Sequence, residues 1–229
     1  MNENSYLTAT LSLVALLAGT SDCALFQSRG KAPAKPILVY YGLDMTVGLY
    51  GSDRLVHQEV VSDYGPKWNR GLTETVQETL GEAFSVMTNL QPTGEQNGFL
   101  RISQFSLSWD HDYPPSKSRV RSLVPELVSR YTGVSKPGVG CVAVVHYLGG
   151  DDDWHGDLHA RVELVVFDHL TGVILGRAAY DGEAEGSNTG EIGLEALVEA
   201  TEKASENIVT RARSIYRSLV TATVSASKR

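Results

Sequence analysis

Apolar positions along the chain change period several times, and each change marks an element. Residues 37–43 (ILVYYGL) form a short apolar run rich in β-formers directly after Pro36. That pattern predicts a buried first strand. The glycine-rich segment 44–65 has no strong period and reads as a loop, with one strand near Leu55–Val61. After Pro66, residues Trp68, Leu72, Val76, Leu80, Ala83, Phe84 and Met87 recur at spacings of three and four. Such spacing predicts one apolar face of an amphipathic helix, with proline in its first turn, where the missing N–H costs nothing.

Beyond Pro92, Gly94 and Gly98, the run Phe99–Trp109 predicts a strand whose alternation changes phase between Ile102 and Phe105, as at a bulge. Residues 117–131 keep helical spacing around Pro125, which predicts a short or kinked helix. Val139–Leu148, Leu158–Asp168 and Val173–Asp181 read as three strands separated by GGDDDWHG and HLTG, the pattern of an antiparallel meander. Apolar positions from Leu194 to Val220 predict one long helix, and the closing TATVSASKR reads as frayed. The expected class is α+β: a mainly antiparallel sheet with helices packed on one face.

Composition narrows the function without selecting one. The 229 residues carry 20 Lys+Arg against 27 Asp+Glu, a formal charge of -7. An acidic balance argues against a nucleic-acid partner, which needs a basic surface to displace counterions. Two cysteines, Cys23 and Cys141, are too few for a Cys-rich zinc site or a disulfide framework.

The amino terminus departs from the rest. Residues 7–19 (LTATLSLVALLAG) are uncharged, too short to span a bilayer as a helix, and of the length of a signal-peptide core. Small residues 18–21 follow, then Cys23 and the polar, proline-containing ALFQSRGKAPAKP. An export segment ending near a cysteine resembles the signal of bacterial lipoproteins, in which that cysteine becomes the lipidated first residue. Here Asp22 precedes the cysteine, and the leading MNENSY has no Lys or Arg. The division expected is signal peptide 1–22, tether 23–35, a single α+β domain 36–222 and a frayed end 223–229. Ordinary cleavage after Thr20 or Ser21, or a first helix retained in a cytosolic structural domain, are the competing outcomes.

Candidate chemistry concentrates between Asp151 and His159. His155, Asp157 and His159 share one face of an extended chain, so a His-Asp-His metal set is geometrically available. A solvated hairpin tip is the competing reading. With Asp110–Asp112, this cluster would suit a metal-binding protein or metal-dependent hydrolase. The sequence contains no GxSxG, P-loop, HExxH or Rossmann glycine fingerprint. No catalytic residue and no cofactor are therefore assigned. Cys141, inside VGCVAVV, reads as a buried free thiol. Trp154, Trp109 and Tyr113 are the aromatic candidates for partner contact.

The stretch 161–186 (RVELVVFDHLTGVILGRAAYDGEAEG) is a strand, a D-x-x-T-G turn and a second strand ahead of an Ala/Glu-rich helix. It resembles a pattern in bacterial envelope proteins of the curli-secretion-channel and TolB amino-terminal type. That resemblance implies a periplasmic binding or assembly domain without catalysis, and it carries no functional residue over. The expectation is a non-catalytic envelope protein in the periplasm or at the outer membrane. It would be anchored through Cys23 if that residue is modified, and would meet a protein partner in the envelope.

Overall fold

The structure is a computed structural model. It describes residues 35–45, 49–51, 63–89, 124–132, 138–150 and 157–226. Three features of the apolar pattern determine the sheet. In β1 (Ile37–Asp44), Leu38 and Tyr40 face one side while Val39 and Tyr41 face the other. Gly42 then adopts a φ of +90°, in the region open to glycine, and the register shifts there. The shift returns Leu43 to the side of Leu38 and Tyr40. β4 (Val139–Gly150) and β5 (Leu158–Asp168) are buried along both faces, which is why they read as nearly continuous apolar runs.

β2 (Leu49–Gly51), β3 (Ser85–Thr88) and β6 (Ile174–Ala184) complete a six-stranded sheet of order β3-β1-β4-β5-β6, with β2 also pairing β4. The meander β4-β5-β6 is antiparallel, as its short turns require. The other half of the sheet is parallel: β1 pairs with β3 and β4, and β2 with β4, in that sense. The sheet is therefore mixed: mainly antiparallel, as expected of this α+β chain, but not purely so. The helix between β1 and β3 makes a crossover, and a crossover returns the chain parallel.

That helix, α1 (Gly65–Leu80), buries Trp68, Leu72, Val76 and Leu80. It ends at Gly81, sooner than its apolar spacing suggests. Phe84 continues the core from the connection, and Met87 lies on β3. The predicted long helix is divided at Arg211 into α3 (Thr189–Thr210) and α4 (Ala212–Ala226). α4 carries helical backbone into the stretch read as frayed. Asn188 caps α3 by accepting from the backbone N–H groups of Gly190 and Glu191.

Two apolar layers result. The larger joins α1, α3 and α4 to one face of the sheet. The smaller, on the opposite face, joins Val39, Tyr41, Val142, Val144, Val165 and Phe167 to Val124, Leu127, Val128 and Tyr131 of the helical segment α2 (124–129) and the turn after it. Helices thus cover both faces, not one. The apolar residues of the α2 region have helical spacing, which shows that a helix forms and leaves open which face receives it. The strand readings for Leu55–Val61 and Phe99–Trp109 fall outside the described residues. Lys35–Ala222 forms one compact unit.

Candidate functional site

The two ends of the β5–β6 hairpin differ in chemistry. At the turn, Asp168 Oδ1 accepts from the backbone N–H groups of Leu170 and Thr171, and Gly172 takes a φ of +69°. The D-x-x-T-G motif is thus a turn device. Away from the turn, the face shared with α2 becomes charged. Glu163 is buried in β5. One of its carboxylate oxygens accepts from His146 Nε2 at 2.8 Å and Arg177 Nη2 at 2.8 Å, and the other accepts from Arg177 Nε. His146 lies on this face by alternation with Val142 and Val144, and the β4 register shifts beside it, between Val145 and Tyr147. Burial alone would raise the Glu163 pKa; the hydrogen bonds and positive charge of His146 and Arg177 outweigh it and hold it at about 2.

One pleat further on, Arg161 Nη1 donates to both carboxylate oxygens of Asp181, at 2.7 and 2.8 Å. Next, His159 stands directly opposite Glu183, with Nδ1 3.8 Å from Oε1. Asp157 joins them: one ligand atom each from Asp157, His159 and Glu183 lies within 4.8 Å of the other two. The backbone holds this end tightly. A Cβ on Gly150 would sit 1.8 Å from the Asp157 carbonyl oxygen, so only glycine permits that approach. Gly149 stands opposite His159 on β4.

On the other side of the molecule, α1 and α3 border a groove of about 500 Å³ lined by Glu78, Glu82, Glu202 and Glu206 with Val198 and Val209. It combines apolar floor and acidic rim. The outer edge of β6 is closed by α3 and the residue after it. Glu199 accepts from the Glu183 backbone N–H at 2.7 Å, Lys203 donates to the Asp181 carbonyl at 3.3 Å, and Arg211 to that of Arg177 at 2.9 Å. These contacts occupy groups that an added strand would need.

Of the sequence-derived metal set, Asp157 and His159 are brought together, and His155 lies outside the described residues. Glu183, which sequence reasoning missed, takes the third place. Trp154, Trp109, Tyr113, Cys23 and the Asp110–Asp112 cluster also lie outside the described residues. Cys141 is buried, and burial pushes its thiol above the ordinary range, as expected of an inert packing residue. Sequence reasoning also missed the Glu163 group. Its signal was a lone carboxylate within the apolar run VELVVF.

No family model and no curated protein matches the chain. Solved structures that resemble it include lipoprotein GNA1162 of Neisseria meningitidis, at 12% identity over 71% of this chain and 92% of that one, with a TM-score of 0.36. Hypothetical protein CT253 of Chlamydia trachomatis is also 12% identical, over 80% and 98%, with a TM-score of 0.36. Protein XCC0632 of Xanthomonas campestris, of family DUF330, is 8% identical over 85% and 90%, with a TM-score of 0.35. Likeness at this level transfers no function. Among the described residues, no helix is long and apolar enough to cross a membrane.

Proposed function

We propose that this chain is a bacterial envelope protein with a non-catalytic domain that acts by contact with another protein, tethered through residues 23–35 and lipidated at Cys23. The observation that carries this reading is the order of segments. An uncharged 13-residue stretch, a cysteine and a polar tether precede a compact unit that begins at Lys35. Such an arrangement suits a domain held at a distance from a surface.

The groove between α1 and α3 is the described surface best suited to a partner. Its four glutamates call for a basic segment, and Val198 and Val209 for apolar side chains between the positive charges. Trp154, Trp109 and Tyr113 remain the proposed aromatic contacts. The curli-channel and TolB resemblance adds an expectation of assembly work and assigns no residue.

The deciding experiment is the mass of the mature amino terminus, with palmitate labelling of the wild type and Cys23→Ala. The expected result is a first residue at Cys23 carrying lipid, with the label lost in the variant. Residues 1–22 intact in the mature protein would overturn export, and label surviving in Cys23→Ala would overturn the anchor.

A further inference from the structure

We propose that Asp157, His159 and Glu183 bind a divalent transition-metal ion of the zinc class at the open end of the β5–β6 hairpin. The inference is independent of the envelope reading. It stands on convergence from two places in the sequence, residues 157–159 and Glu183. His159 and Glu183 are direct cross-strand partners, so their Cβ atoms share one face at neighbour distance. Asp157 precedes His159 by two residues, which puts it on the same face of the extended chain. Their ligand atoms already lie within 4.8 Å of one another. Around a tetrahedral ion with bonds of about 2.0–2.1 Å, ligand atoms stand about 3.3 Å apart. The difference of about 1.5 Å is of the size that side-chain rotation spans. Asp157 and His159 are half-buried and Glu183 is exposed, so the ion has a route in and coordination positions remain for water.

The donor set selects the class of ion. Two carboxylates and an imidazole are poor for calcium and magnesium, which take oxygen ligands. They suit zinc, cobalt, nickel or manganese. The supporting residues fit the role as well. The Glu183 backbone is held by Glu199, itself held by Lys203 at 2.8 Å. The neighbouring Asp181 is engaged by Arg161, so it is an internal control for mere acidity.

The test uses the purified full chain, stripped of metal, titrated with Zn²⁺ by calorimetry and with Co²⁺ by visible absorption. Mg²⁺ and Ca²⁺ serve as comparison ions. The proposal expects one Zn²⁺ per chain, a rise in melting temperature, a Co²⁺ spectrum without a thiolate charge-transfer band, and little response to Mg²⁺ or Ca²⁺. His159→Asn and Glu183→Gln should each weaken binding by about tenfold or more, as loss of a ligand must cost at least what loss of a ligand's supporting contact costs. Asp181→Asn should leave it within about twofold, since Asp181 is not a ligand. Glu183 is exposed, so its variant is readable even if His159→Asn folds poorly. Unsaturable binding, a thiolate band, unchanged affinity in Glu183→Gln, or an equal loss in Asp181→Asn would each overturn the site.

Discussion

Glu163 offers the most direct test of how this sheet is held together. Its carboxyl pKa lies at about 2 instead of 4.5 because His146 and Arg177 stabilise the ionised form more than burial opposes it. A depression of about 2.5 units at 1.36 kcal/mol per unit corresponds to about 3 kcal/mol. The group is almost wholly buried, so solvent screening takes little from that figure. The sign follows from the direction of the shift. A depressed carboxyl stabilises the fold fully above the unfolded value near 4.5, and that contribution is lost as pH falls towards 2. Glu163→Gln removes the charge at nearly constant shape. It should lower unfolding free energy by about 3 kcal/mol at pH 7, within the range seen when one partner of a buried ion pair is removed. At pH 3 the same linkage leaves a difference of only about 1 kcal/mol. Urea denaturation of both proteins at the two pH values measures this. A variant as stable as the wild type at pH 7, or one equally destabilised at both pH values, would refute the electrostatic account.

Tyr40 is buried in the larger core, and its hydroxyl finds no hydrogen-bond partner among the described residues. Tyr40→Phe removes a desolvated polar atom and should be neutral or stabilise by up to about 1 kcal/mol, read as a raised denaturation midpoint; a loss of that size would reveal a partner for the hydroxyl. Gly182 faces α3 so closely that a Cβ would stand 2.1 Å from the Ala196 carbonyl oxygen and 2.7 Å from the Ala200 nitrogen. Both are backbone atoms, so Gly182→Ala must displace the helix and should cost about 1–3 kcal/mol, seen as a lower melting temperature; an unchanged melting temperature would mean that α3 rides less tightly on β6.

Much of the fold was legible because the meander and α1 bury residues at clean periods. The strands β4 to β6 and the helix after Pro66 needed only local pattern. What was not legible depends on contacts remote in sequence. Nothing in residues 85–88 marks them as a strand rather than the tail of a helix: Phe84 and Met87 keep the spacing of α1, and only pairing with β1 makes β3. The direction of the β1–β4 pair is likewise set by the crossover, not by any residue of either strand. The break at Arg211 follows no proline or glycine, and apolar spacing runs through it. Arg211 ends α3 with a φ of -98° and ψ of 2° while its side chain reaches the Arg177 carbonyl, a contact invisible before the sheet is in place.

The candidate site turns on a single irregularity. Next to the turn, Phe167 pairs with Ile174; after a register shift, Val166 pairs with Gly176. Extending the turn's register without that shift would set His159 opposite Gly182, Arg161 opposite Tyr180 and Glu163 opposite Ala178. The shift instead opposes His159 to Glu183 and Arg161 to Asp181. It also keeps Gly182 under α3, where a side chain would strike the helix backbone. A slip of one residue reverses the face of every side chain beyond it. The same bulge therefore seats the helix on one face and aligns the charged partners on the other. Sequence reasoning found Asp157 and His159 because they lie two apart in one strand. It missed Glu183 because that residue becomes their neighbour only through an extra residue near the far end of the hairpin. The Asp157–His159–Glu183 cluster and the packing of α3 consequently depend on one backbone feature, and Gly182 and Glu183 report on it from opposite faces.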